Sequence, residues 1–140
     1  MKETLKPGIK YQHKFLVPES KTVPSLYPES EEFLAMPEVF ATGFLVGFLE
    51  WSCIRAIKPY LDWPDEQTVG THINVSHIAA TPPGLEVTAN VELLEIDCRK
   101  LVFSVEAHDG IDLISQGRHD RYIINKKKFD ARTKEKIKVK

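Results

Sequence analysis

A carboxylate, an imidazole and a hydroxyl occupy three positions that could together do acid–base chemistry. Glu50 lies inside the apolar run FLVGFLEWSCIRA, Thr42 stands just before that run, and His77 lies in GTHINVSHIAATPPGLEV. A carboxylate among apolar neighbours needs a partner or a raised pKa, because an unpaired buried charge is costly. A histidine on a facing strand would supply the partner. The alternatives are a purely structural pair or a Glu50–Arg55 contact, although five-residue spacing suits a direct helical pair poorly. Thr42 and Glu50 are about 12 Å apart along a helix axis and within roughly 80° of each other around it. A hydroxyl, a carboxylate and an imidazole converging between a helix and a strand are the parts of an acyl-transfer or hydrolytic site.

The elements that must position these groups follow from periodicity. Thr42 reads as an N-cap and Pro59 as the end of a helix of about seventeen residues, apolar on nearly every face and therefore expected to be buried. Gly47 in mid-helix implies close approach of something, with helix-to-helix contact across a dimer the favoured reading. Alternation over Thr71–Ala79 puts Thr71, Ile73, Val75 and His77 on a core-facing side and His72 on the other, so the two histidines should not share a metal. Gly70 reads as a turn residue or as a backbone N–H donor to an oxyanion. Val87, Ala89, Val91 and Leu93, then Leu101, Phe103, Val105 and Ala107, alternate with polar residues as half-buried strands do. Pro82-Pro83-Gly84, Asp97–Lys100 and Asp109-Gly110 mark the turns between strands.

Tyr11–Val17 reads as a first strand. The loop from 18 to 37 carries four prolines, fits at most a short helix around Ser30–Met36, and has the length of a lid. In ISQGRHDRYIIN, His119 and Arg121 share one side and Arg118 and Asp120 the other; this reads mainly as a solvated face, with an arginine able to hold a phosphate or a pantetheine amide. The order is strand, lid-like loop, helix, four antiparallel strands and a charged tail. One sheet around one helix leaves an edge uncovered, so a symmetric dimer is expected.

Composition narrows the function. The 140 residues are 42% hydrophobic with a net charge of -1, which suits one globular domain and offers no global attraction for nucleic acid or an anionic membrane. Residues 126–140 carry seven Lys and one Arg against Asp130 and Glu135, hence +6 against -7 for the remainder. This tail is expected to be a solvated terminal helix, with a phosphate-binding surface as the sharper alternative. Cys53 and Cys98 lack paired spacing, so neither a disulfide nor a zinc site is expected. No apolar run has the length of a signal peptide core or a membrane span, and a soluble cytoplasmic protein is the expectation.

The segments KTVPSLYPESEEF, PEVFATGFLVGFLEWSCIRAIKPYL, HIAATPPG and HDGIDLISQGRHDR together carry a family resemblance. Over nearly its whole length the chain resembles the hotdog-fold thioesterases, in particular the fluoroacetyl-coenzyme A thioesterase group. The resemblance implies an α+β hotdog fold, a five-stranded antiparallel sheet wrapped around one long central helix, in a single domain spanning 1–140. It implies a homodimer that hydrolyses short acyl-coenzyme A thioesters without metal or other cofactor. Thr42, Glu50 and His77 match the family's catalytic residues, and Gly70 and Arg121 its substrate-contacting ones. Phe33 keeps an aromatic in the lid, while Met36 stands where the family pattern has a second one; a flexible thioether fills space differently from a ring, so fluoroacetyl specificity does not follow. A hotdog enoyl-coenzyme A hydratase or dehydratase, and a non-catalytic acyl-coenzyme A binding module, are the alternatives.

Overall fold

The computed structural model describes residues 1–139. Five strands, β1 (Lys10–Leu16), β2 (Glu66–Val75), β3 (Glu86–Asp97), β4 (Lys100–His108) and β5 (Leu113–Asn125), form one antiparallel sheet in the order β1-β3-β4-β5-β2. A short helix α1 (Glu31–Leu34) precedes the long α2 (Thr42–Ile57), and α3 (Lys126–Val139) follows β5. The expected α+β fold, a five-stranded sheet wrapped around one long helix, is the one observed.

The apolar spacing of α2 explains its seat. Leu45, Leu49, Cys53 and Ala56 recur every three or four residues, and all are buried against the sheet. Val87, Ala89, Val91 and Leu93 on β3, with Leu101, Phe103, Val105 and Ala107 on β4, supply the opposing surface, as their alternation predicts. Each fully buried Leu or Phe in this core contributes roughly 1.5–3 kcal/mol relative to exposure. His13 on β1 is also buried, and its tautomer follows from its partner. Ser52 Oγ donates to Phe48 O at 2.8 Å, so His13 Nδ1–H donates to Ser52 Oγ at 3.0 Å.

The expectation that α2 is buried all round is corrected. Thr42, Gly43, Gly47, Trp51 and Arg55 are exposed, and a side chain added at Gly47 would meet nothing within 4 Å. A single sheet covers only one side of a helix, so the opposite side lies open. The cap differs as well. Thr42 is the first helical residue, Ala41 is the N-cap, and no side chain caps that end.

The turns have identifiable causes. Cys98 and Arg99 form the two-residue β3–β4 connection, with Cys98 at φ 56°. The β4–β5 turn is longer than the Asp-Gly dipeptide suggests. The Asp109 carboxylate accepts from the Ile111 and Asp112 N–H groups and from Thr81 Oγ1, locking a four-residue loop. In the 18–37 segment two single 3-10 turns precede α1, whose Ser30 cap accepts from Phe33 N at 3.0 Å. The α3 helix buries none of its described side chains, as expected of a solvated terminal helix; Lys140 lies outside the described residues.

Candidate active site

The three candidate catalytic residues divide into two half-sites. At the head of α2, Thr42 Oγ1 lies 2.7 Å from His77 Nδ1. His77 is not within β2, as alternation had suggested, but just past its end. Its backbone is still held beside β5, because Ser76 N donates to Gln116 O at 3.0 Å and Ile78 N donates to Ile114 O at 2.9 Å. Burial pushes the His77 pKa below its ordinary 6.5, with the nearby Ala79 backbone acting weakly the other way. Its Nε2 is buried without a protein partner. An imidazole that stays neutral, has one nitrogen fixed by a hydroxyl and leaves the other unused is ready to handle a proton.

Two turns along α2, Glu50 pairs with Arg121 instead of with His77. Arg121 Nη1 donates to Glu50 Oε2 at 2.8 Å, Nε donates to Thr68 Oγ1 at 2.8 Å, and Nη2 donates to Thr68 O at 2.8 Å. The Arg121 side chain is 4% exposed and that of Glu50 is 38%, so a buried cation holds a carboxylate that reaches solvent. The reading of residues 118–121 as mainly a solvated face is thereby corrected, since His119 and Arg121 point into the fold. Among the described residues no hydrogen bond joins Glu50 to His77 or to Arg55.

Gly70 is a mid-strand residue and not a turn. It pairs with Arg121, and a bulge at Thr71 follows before His72 pairs with Asp120. A Cβ at Gly70 would lie 2.9 Å from Glu50 Oε2, 3.3 Å from His119 Cε1 and 3.4 Å from Arg121 Nη1. Glycine leaves the carboxylate the place that a Cβ would push it from. We therefore expect Gly70→Ala to lower kcat roughly ten- to a hundredfold by shifting Glu50 a few tenths of an ångström. Its backbone is not left-handed, so the unfolding temperature should change little; kinetics and a thermal melt on the same preparation check both.

Around this half-site Val46, Glu50, Gly70, Thr71, His72, Ile73 and His119 line an open cleft of about 400 Å³. Phe33 and Met36 do not line it. The 18–37 loop approaches the other half-site, where Leu26 Cδ2 would be 2.9 Å from a Cβ at Gly43, beside Thr42. Thr71 and Ile73, expected on a core-facing side, are exposed because β2 is a sheet edge with no strand beyond it. The sequence reading passed over two members of the Glu50 half-site, Thr68 and the central His119. Alternation did carry the signal, since Thr68 shares a face with Gly70 and His119 with Arg121. Among the described residues no group of three His, Cys, Asp or Glu side chains is arranged to hold a metal, and Cys53 behind the site is pushed up to about 12 by burial.

A helix cradled in such a sheet, with acid and imidazole groups at its open side, is the architecture of the hotdog-fold thioesterases, and comparison with known proteins narrows it further. The model of the fluoroacetyl-CoA-specific thioesterase family matches residues 17–127. A fluoroacetyl-CoA thioesterase from Streptantibioticus cattleyicolor is 52% identical over 136 residues, 97% of each chain. A variant of the fluoroacetyl-CoA thioesterase solved with acetyl-CoA superposes with a TM-score of 0.92 at 51% identity, covering 94% of this chain and 98% of that one. A Thermus thermophilus thioesterase superfamily member gives 0.83 at 25% identity, covering 99% of both. The chain belongs to the fluoroacetyl-CoA-specific thioesterase family, and it is a thioester hydrolase.

Proposed function

We propose that the protein hydrolyses short-chain acyl-coenzyme A thioesters in the cytoplasm, as a homodimer whose two active sites each join one chain's Thr42–His77 pair to the other chain's Glu50. The observation that carries this reading is the separation of the half-sites. Thr42 and Glu50 are about 12 Å apart along one helix, too far to act on one carbonyl. Two copies of α2 packed antiparallel about a two-fold axis would bring the head of one beside the middle of the other. The exposed Gly47 leaves room for that approach, and the unpaired β2 edge with Ile73 exposed offers a further self-complementary surface.

In this scheme Glu50 attacks the thioester carbonyl or activates the water that does, its inactive oxygen held by Arg121. The carbonyl oxygen becomes negative as the carbon turns tetrahedral, and the Gly70 N–H is the candidate donor to it. Cleavage of the C–S bond releases the coenzyme A thiolate; the neutral His77 takes a proton at Nε2 from the water that attacks the thioester, or that hydrolyses an acyl-Glu50, and passes it to the thiolate, leaving free acid and thiol. Thr42 fixes the imidazole through Nδ1. Trapping an acyl group on Glu50 would assign the first move to the carboxylate. Arg121 acts here by fixing Glu50, four of its five N–H groups being directed at Thr68, Glu50 and His119.

The 52% identical relative acts on fluoroacetyl-CoA, which makes a small acyl group the first candidate for this chain. Phe33 and Met36 would close the acyl end, and the exposed Met36 adapts to more than one shape. Free-thiol release from acetyl-, propionyl-, longer acyl- and fluoroacetyl-coenzyme A tests the proposal. Turnover of the small thioesters with a steep fall for longer chains is expected. Release of no thiol from any of them, by folded protein, would overturn it.

A further inference from the structure

His119 is 2% exposed, yet both of its ring nitrogens are occupied and it borders the cleft beside Glu50. Nδ1 lies 2.7 Å from His72 O, a carbonyl that can only accept, so Nδ1 carries the proton. Nε2 then holds a lone pair, which accepts from Arg121 Nη1 at 3.1 Å. The same Nη1 donates to Glu50 Oε2 at 2.8 Å. One nitrogen of Arg121 is thus shared between an imidazole behind it and a carboxylate in front, while Thr68 holds the rest of the guanidinium.

The other end of the ring is tied to the bulge at Thr71, because His72 O belongs to the residue that resumes pairing after it. His119 therefore spans from the irregular stretch of β2 to the cation that orients the catalytic carboxylate. Its neutral state is required by this geometry: an imidazolium would lose the acceptor and would face the guanidinium proton to proton. Burial holds its pKa below the ordinary 6.5, with the His72 carbonyl acting the other way.

We propose that His119 is a positioning residue for the hydrolysis, accepting from Arg121 through Nε2 so that the guanidinium presents a fixed N–H to Glu50. The role rests on Glu50 being the group that acts on the thioester. With both ring nitrogens engaged, His119 has no polar atom free for the substrate and works through Arg121. Two amides separate the nitrogens. The Asn side chain reaches the Nδ1 position, so His119→Asn keeps the bond to His72 O and loses the acceptor for Arg121. The longer Gln reaches the Nε2 position, so His119→Gln keeps the acceptor and loses the bond to His72 O.

Kinetics of acetyl-coenzyme A hydrolysis for the wild-type protein and both variants, with thermal melts and imidazole 15N spectra, test this. Expected are an Nδ1–H tautomer for His119, a His119→Gln kcat within about threefold of wild type, and a His119→Asn kcat lowered roughly ten- to a hundredfold at nearly unchanged KM. Equal losses in the two variants, tracking their melting temperatures, would overturn the proposal in favour of a structural role. An Nε2–H tautomer would overturn it even if neither variant folded. Loss of activity in Glu50→Gln, measured alongside, keeps the two claims apart. A fully active Glu50→Gln removes the proposed chemistry itself, whereas an inactive one with equal His119 variants removes only the positioning role.

Discussion

Glu50→Gln is expected to lower turnover roughly a thousandfold with little change in KM. The amide has the shape of the carboxylate, and its carbonyl oxygen can still accept from Arg121 Nη1, so the cleft and its bound substrate are preserved. What disappears is the charge and basicity that the proposed acyl-transfer step uses, either to attack the thioester or to draw a proton from water. The stability cost should be small, about 1–2 kcal/mol, because Glu50 is partly solvated while the guanidinium it leaves behind keeps both bonds to Thr68. Steady-state kinetics with a denaturant melt separate the two effects. A large kcat loss without a collapse of stability identifies a catalytic carboxylate; a parallel loss of both would identify a structural ion pair.

His77→Ala should lower kcat by about two to three orders of magnitude, and its effect on folding should be small. The native state buries Nε2 without a protein partner, a group whose desolvation is uncompensated until substrate, water or the second chain reaches it. Truncation removes that cost together with the Thr42 bond, so the melting temperature should stay nearly level while activity falls. The wild-type pH dependence follows from burial. The folded pKa lies below the unfolded 6.5, so the neutral imidazole favours the native state above pH 6.5. That contribution is lost as the pH falls from 6.5 toward the folded value. His119 and His13 are lowered by burial too and act in the same direction. Activity should therefore persist below pH 6.5 before an acid limb appears, and His77→Ala should flatten the acid loss of stability, as melts from pH 5 to 8 would register.

Periodicity carried the core and failed at the open surfaces. The β3 and β4 alternations were legible because each is dictated by burial of one face of the sheet. The same logic misjudged α2 as buried all round and Thr71 and Ile73 as core-facing, since hydrophobicity marks a surface to be covered without saying which chain covers it. Glu50 was legible as an ionisable group in need of a partner; Arg121 is that partner, and no local spacing links positions 71 residues apart. His77 was found on the wrong kind of element. Its strand ends at Val75, and two backbone bonds carry the chain on beside β5. The Thr42 hydroxyl reads as a cap from sequence, but Nδ1 of His77 takes it instead. Gly70 looked like a turn residue because a missing Cβ looks the same in sequence whether it frees a backbone or makes room for a carboxylate.

The division of the catalytic groups between two chains is the central claim, and mixed dimers test it most directly. His77→Ala and Glu50→Gln homodimers should each be inactive, and unfolding and refolding them together at equal amounts should form heterodimers. If each site draws His77 from one chain and Glu50 from the other, every heterodimer keeps one intact site, and the mixture should recover roughly a quarter of wild-type thiol release, half of the dimers each with one site of two. No recovery in a mixture proven to contain heterodimers would contradict the account, because it would mean that Glu50 and His77 must come from the same chain.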